Sequence, residues 1–149
     1  MVSETSDVQV FLVQHPPFNG LSESQLEYAS SNIFVAFSKS GNELFLDRQD
    51  ANYKIGMIII RSGSLEVRTT QGELVDRLSS GDYFIAGGIG NADAEPLRIF
   101  VLEDCLYYEL TANALQSLSA TCVDISVLLE NDKTQKAKLS TNDKSALFE

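Results

Sequence analysis

Three glycines within four residues, Gly87, Gly88 and Gly90, with Ile89 between them and Asn91 after them, are the part of this chain best suited to grip a small ligand. Glycine has no Cβ, so backbone can approach closely and successive N–H groups can converge on an anion or an amide. The loop is fed by a turn, Ser79-Ser80-Gly81-Asp82, and by the apolar triplet Tyr83-Phe84-Ile85; it leaves through Ala92-Asp93-Ala94-Glu95-Pro96. The same glycines suit a tight surface loop with no ligand at all. Asp93 and Glu95 raise the cost of bringing a phosphate here, because like charges repel strongly in a partly desolvated site. Arg98 would offset that cost if its side chain reached back. On strand alternation, however, Leu97, Ile99 and Val101 share one face and Arg98 shares the other with Phe100 and Leu102, so Arg98 is expected to point away. The candidate pocket is therefore Gly87, Gly88, Ile89, Gly90, Asn91, Glu95 and Arg98.

Catalytic chemistry has little to work with. His15 is the sole histidine and sits beside Pro16 and Pro17, which suits packing or capping better than a metal set or a nucleophile–base pair. Glu103 and Asp104 are adjacent, so on a strand they face opposite ways, and they fall where a turn between two strands is expected. Asp93 and Glu95 lack a third oxygen ligand in register, so no metal site is expected. Cys105 and Cys122 read as buried small hydrophobes in a reducing cytosol. No enzyme activity, cofactor or metal is expected.

The elements that must position the loop are short strands. Ile33 to Ser38 alternate; Gly41 turns the chain into Leu44, Phe45 and Leu46; Ile55 to Ile60 form a β-branched run suited to a buried strand. Ser62-Gly63 is expected to turn into Leu65 to Thr69, and Gln71-Gly72 into Leu74 to Leu78. Two more strands are expected at Leu97 to Leu102 and Cys105 to Leu110. Short strands with glycine turns between them indicate an antiparallel barrel or sandwich.

Helices flank this β region. Ser22 with Gln25 has capping-box spacing before a short helix, and Thr111 can cap a helix carrying Leu115 and Leu118. Leu115, Leu118, Cys122, Ile125 and Leu129 step by three and four, a heptad-like seam. That seam packs on its own domain or on a second copy.

A chain of 149 residues with 44% apolar content suits one domain, residues 1–130, followed by a polar tail or linker, residues 131–149. The net charge of −10 and a pI near 4.4 argue against nucleic acid and against an anionic membrane surface. No secretory signal is visible at the amino terminus, and no apolar run is long enough to span a bilayer.

The phrases Gly63-Ser64-Leu65-Glu66-Val67, Gly72-Glu73-Leu74-Val75 and Gly81-Asp82-Tyr83-Phe84 resemble, in order and spacing, the β-roll of cyclic-nucleotide-binding domains, over roughly Val8 to Leu129. The resemblance implies a mainly β fold with flanking helices, an antiparallel, jelly-roll-like β-roll whose phosphate-binding cassette lies between Gly81 and Leu97. In that family Gly-Asp-x-Phe continues with Gly-Glu, the glutamate holding the ribose hydroxyl; here Ile85 and Ala86 follow Phe84. The arginine that pairs with the cyclic phosphate is matched by Glu95, followed by Pro96. Cyclic AMP and cyclic GMP are therefore expected to bind weakly or not at all.

Pro16-Pro17-Phe18 and Leu102 to Tyr108 also resemble the input domain of bacterial proteins carrying CBS repeats and a nucleotidyltransferase-like segment. The implied role is a non-catalytic regulatory domain of a cytoplasmic signalling protein, sensing a small molecule. The alternative is a ligand-free interaction or dimerisation module whose pocket is filled by Ile85, Leu97 and Glu95. Family members dimerise through the helix after the roll, which places a homodimer contact at Leu115 to Leu129. The tail has no room for the DNA-reading helix-turn-helix of the family's transcription factors.

Overall fold

The computed structural model describes residues 3–45, 53–86 and 97–130. The order is α1 (Ser3–Val13), α2 (Glu23–Ser31), β1 (Ile33–Ser38), β2 (Glu43–Leu44), β3 (Ile55–Thr69), β4 (Leu74–Ser79), β5 (Tyr83–Ile85), β6 (Leu97–Thr111), α3 (Ala112–Thr121) and α4 (Val123–Glu130). All strand pairs are antiparallel, in the order β1-β6-β3-β4, with β2 also on β6 and β5 also on β3.

The sequence suggests four short strands where the structure has two long ones. β3 and β6 each run 15 residues, and neither Ser62-Gly63 nor Glu103-Asp104 ends its strand. Instead the two bend together. The pairing Ile60↔Tyr107, Ser62↔Leu106, Ser64↔Glu103, Leu65↔Val101 contains successive register slips, the signature of bulges that turn a ladder without cutting it. The slips also change which residues of β3 face inward, from Ile58 and Ile60 to Leu65 and Val67.

Gly63 makes this bend possible. Its φ is +91°, and a Cβ there would stand 2.2 Å from the carbonyl oxygen of Asp104 and 2.8 Å from the Cα of Cys105. Only glycine tolerates both the conformation and the contact. Glu103 and Asp104 serve the same corner: Ser64 Oγ donates to the Glu103 carboxylate at 2.9 Å, and the Ser40 amide donates to Asp104 at 2.9 Å.

Bending the sheet gives it two buried faces. The inner face closes over Ile58, Ile60, Leu65, Val67, Ile99, Val101, Cys105 and Tyr107. The outer face near the helices carries Met57, Ile59, Tyr108 and Leu110 against Phe11, Leu12, Phe18, Leu115, Leu118 and Ile125. Double burial explains why Ile55 to Ile60 is apolar without alternation. Each large apolar side chain so buried contributes roughly 1.5–3 kcal/mol before entropy is counted.

The helix caps form as the spacing predicts. Ser22 accepts from the Gln25 amide and the Gln25 side chain accepts from the Ser22 amide; Thr111 accepts from the Ala114 amide. The seam after Thr111 is not one helix. Cys122 caps α3 in an extended conformation (φ −127°, ψ 115°), and α4 leaves at 116° to α3. Leu115, Leu118, Cys122 and Ile125 are all buried in the chain's own core, with Leu129 packed beside them. No single described helix is long and apolar enough to cross a membrane. Residues 131–149, the expected tail, lie outside the described residues.

Replacing Gly63 by alanine should cost roughly 3 kcal/mol in urea denaturation, because strain and a backbone clash add. Gly41→Ala, at the same φ but with open space around it, should cost only about 1 kcal/mol. Equal losses would show that the close approach to Asp104 is unimportant.

Candidate functional site

Of the seven candidate pocket residues, Gly87, Gly88, Ile89, Gly90, Asn91 and Glu95 lie outside the described residues; Arg98 lies within them. The frame that holds the loop is described on both sides. β5 pairs with β3 from Met57↔Ile85 to Ile59↔Tyr83, and the Ala86 amide donates to the Gly56 carbonyl at 2.9 Å. β6 resumes with Leu97 opposite Thr69. Ile85 is buried on the helix side with Met57 and Tyr108, so it does not fill the roll interior as the alternative reading expects. Phe84 and Leu97 pack against the interior cluster.

Arg98 points outward, as alternation predicts, and it is engaged there. Its Nε and Nη2 donate to the two carboxylate oxygens of Glu43 at 2.9 and 2.8 Å, and its guanidinium lies 4.9 Å above the Phe100 ring. This two-point pairing fixes orientation as well as charge. The hydrogen bond from Arg98 holds the Glu43 carboxyl below its ordinary value, and Glu43 in turn raises Arg98.

A second charge group lies on the same outer face. The register places Glu43, Phe100, Glu66 and Arg77 in one row across β2, β6, β3 and β4, and Arg68 opposite Arg98 in the next. Arg68 Nε donates to Glu66 at 2.7 Å and Arg77 Nε at 3.2 Å. Glu66 is 6% exposed, and the hydrogen bond from Arg68, followed by that from Arg77, holds its carboxyl below the usual range. Glu43 thus pairs with one arginine and Glu66 with two.

Two charged side chains important to the interior and its surroundings, Glu109 and Arg61, carry weak sequence signals or none. Glu109 is 2% exposed and shares the inner face with Cys105 and Tyr107; Tyr53 donates to it at 2.6 Å, and Phe34 stacks on Tyr53 with centroids 4.2 Å apart. A charge at an apolar step of a period-two pattern is the available signal. Arg61, after four consecutive isoleucine or methionine positions, gives none.

The remaining chemistry-bearing residues have structural partners. His15 Nδ1 lies 2.8 Å from the Phe11 carbonyl oxygen and its ring packs 4.2 Å from Phe11, at the end of α1. Cys105 is buried, and burial pushes its thiol up to about 11, so it stays protonated and unreactive near neutrality. Cys122 lies at the break between α3 and α4, not within a helix. Among the described residues no cluster of histidine, cysteine and carboxylate could hold a metal ion.

No protein-family model matches the sequence, and no curated protein does. Solved structures do match in shape. A cAMP-bound PfPKA-R structure matches with TM-score 0.75 and 11% identity, over 93% of this chain and 47% of that one. The regulatory subunit of a cAMP-independent protein kinase A from Trypanosoma brucei matches with TM-score 0.73 and 16% identity, over 95% of this chain and 52% of that one. The sensor domain of the transcriptional regulator DNR from Pseudomonas aeruginosa matches with TM-score 0.67 and 17% identity, over 90% and 91%. The chain spans about half the length of the two kinase regulatory structures. Its fold is the β-roll of cyclic-nucleotide-binding-like domains.

Because the folded-state value of Glu66 is depressed, its stabilisation is present above the ordinary carboxylate value of 4.5 and is lost as pH falls through the lowered one. Denaturation midpoints measured from neutral pH downward should therefore fall less steeply below about pH 4.5 for Glu66→Gln than for the unaltered chain. An identical acid slope would contradict the pairing.

Proposed function

We propose that this chain is a non-catalytic regulatory domain that keeps the container of a cyclic-nucleotide receptor without the two charged grips for the ribose and the phosphate. The observation that carries this reading is where the four described arginines go. Arg68, Arg77 and Arg98 lie on the outer face with Glu66 and Glu43, and Arg61 lies against Phe11 of α1. Among the described residues the inner face is lined by Leu65, Val67, Leu78, Ile99 and Val101, with no arginine. The matched position for the phosphate arginine is Glu95, and Ala86 stands where the ribose glutamate is expected. A buried cyclic phosphate needs a paired charge, and leaving one unpaired costs more than the hydrogen bonds return.

Relatives in fold support a regulatory role. They include a kinase regulatory subunit and the sensor domain of a transcriptional regulator, and the trypanosome subunit belongs to a cAMP-independent kinase. A triple mutant of that subunit, one of whose changes replaces threonine with arginine, is described as bound to cAMP in the A site. The roll thus persists in a regulatory protein independent of that ligand.

A second reading, a dimerisation module, draws on α4. With the seam residues committed to the chain's own core, the outward face of α4 presents Val123, 76% exposed, and Val127, 50% exposed, one turn apart. Two such valines form the start of an isologous contact between copies.

Two measurements test these readings. Titration calorimetry with cAMP and cGMP should show no saturable binding at micromolar concentration; micromolar affinity for either overturns the first reading. For the second, light scattering should show a mass rising from 16.4 kDa toward twice that value with concentration, and falling back in Val123→Lys. A concentration-independent monomer removes it.

A further inference from the structure

We propose that the cavity between α1 and the outer side of the β3 bend binds a small zwitterion with an apolar side chain, the chemical class of an α-amino acid. The cavity is about 400 Å³ and lies outside the roll, with Asp7, Val10, Phe11, Gln14 and Arg61 among its lining residues. That volume is within the ~300–1,000 Å³ of small-molecule sites.

Its electrostatics are unusual for this molecule. Everywhere else on the described surface the ion-paired arginines sit within 4 Å of a glutamate. Here Arg61 and Asp7 face one cavity, and among the described residues they form no ion pair with each other. Both lie near the buried Tyr108, whose hydroxyl burial chiefly holds above its ordinary value, with the Arg61 charge lowering it and the Asp7 charge raising it. A cation and an anion thus line one cavity without pairing with each other. The guanidinium brings five N–H donors to that cavity.

Packing fixes the Arg61 side of the cavity. The Arg61 guanidinium lies 4.8 Å above the Phe11 ring, and Phe11 meets Tyr108 edge-on with centroids 5.7 Å apart. Ser80 Oγ donates to the Arg61 carbonyl at 2.9 Å and the Gly81 amide to the Ile60 carbonyl at 2.9 Å, tying the β4–β5 turn to β3 beside Arg61. His15 is held by the Phe11 carbonyl, with its ring edge against Gly81.

The ligand class follows by elimination. A phosphate or simple carboxylate entering toward Arg61 meets Asp7. A simple amine leaves Arg61 unanswered. A ligand whose ammonium and carboxylate groups hang from one carbon offers a partner to each, and Val10 and Phe11 supply an apolar wall for its side chain. Occupancy would tie α1 to the turn that leads into β5 and the glycine-rich loop. The site does not depend on whether the roll interior binds a cyclic nucleotide.

Titration calorimetry of the full chain with each of the twenty α-amino acids up to about 10 mM tests the proposal. At least one amino acid with an apolar side chain should bind saturably. Its deaminated acid and its decarboxylated amine should each bind at least about tenfold more weakly, as should the amino acid to Arg61→Gln and to Asp7→Asn. Val10→Trp, made at a position 58% exposed and so not needed for the core, should block the cavity and abolish binding while circular dichroism stays unchanged. No saturable binding of any amino acid, equal binding of the deaminated acid, or unaltered binding to a folded Val10→Trp overturns the proposal.

Discussion

The approach of Gly63 to the Asp104 backbone is the constraint on which the rest of this molecule depends. Two 15-residue strands that stayed flat would present one face to helices and leave the other in water. Because β3 and β6 bend together at that point, the same sheet closes over an inner core and still offers its outer face to α1, α3 and α4. One close backbone approach, available only to a residue without Cβ and with φ of +91°, makes that bend possible. Ser64, Ser40 and the acidic pair Glu103-Asp104 hold the corner by satisfying its polar groups.

The bend also sorts the charges. The inward positions Leu65, Val67, Leu78, Ile99 and Val101 are apolar, and the outward rows collect Glu43, Glu66, Arg68, Arg77 and Arg98 into ion-paired groups. Such groups give modest stability individually, but they occupy the arginines that a phosphate-binding interior would need. Arg61 and Asp7 form the exception, a cation and an anion brought to one cavity without an ion pair between them.

Much of this was legible in the sequence because it rests on local rules. β1 lies where the alternation puts it, the Ser22 and Thr111 caps form as the spacing predicts, and Arg98 faces outward by period-two counting. The continuity of β3 and β6 was not legible: Ser62-Gly63 and Glu103-Asp104 are ordinary turn pairs, and only their mutual pairing turns them into bulges. The break at Cys122 was hidden for a similar reason, since a three-four repeat of apolar residues reads alike in one helix or in two bent ones. Ile85 was assigned to the interior by family position, whereas its pairing with Met57 turns it toward the helices. Arg61 and Asp7 are 54 positions apart in the chain (61 − 7), and nothing short of the fold brings them together.

The central claim is that the inner face around Leu65, Val67, Leu78, Ile99 and Val101 is apolar and offers a cyclic phosphate no cationic grip, Glu109 on the same face being an anion. Amide chemical shifts recorded while cAMP is titrated into the labelled chain test it most directly. The account predicts that the amides of Val67, Leu78, Ile99 and Val101 stay in place at micromolar nucleotide. Saturable shifts at those four amides, accompanied by a shift at an arginine side chain, would contradict it.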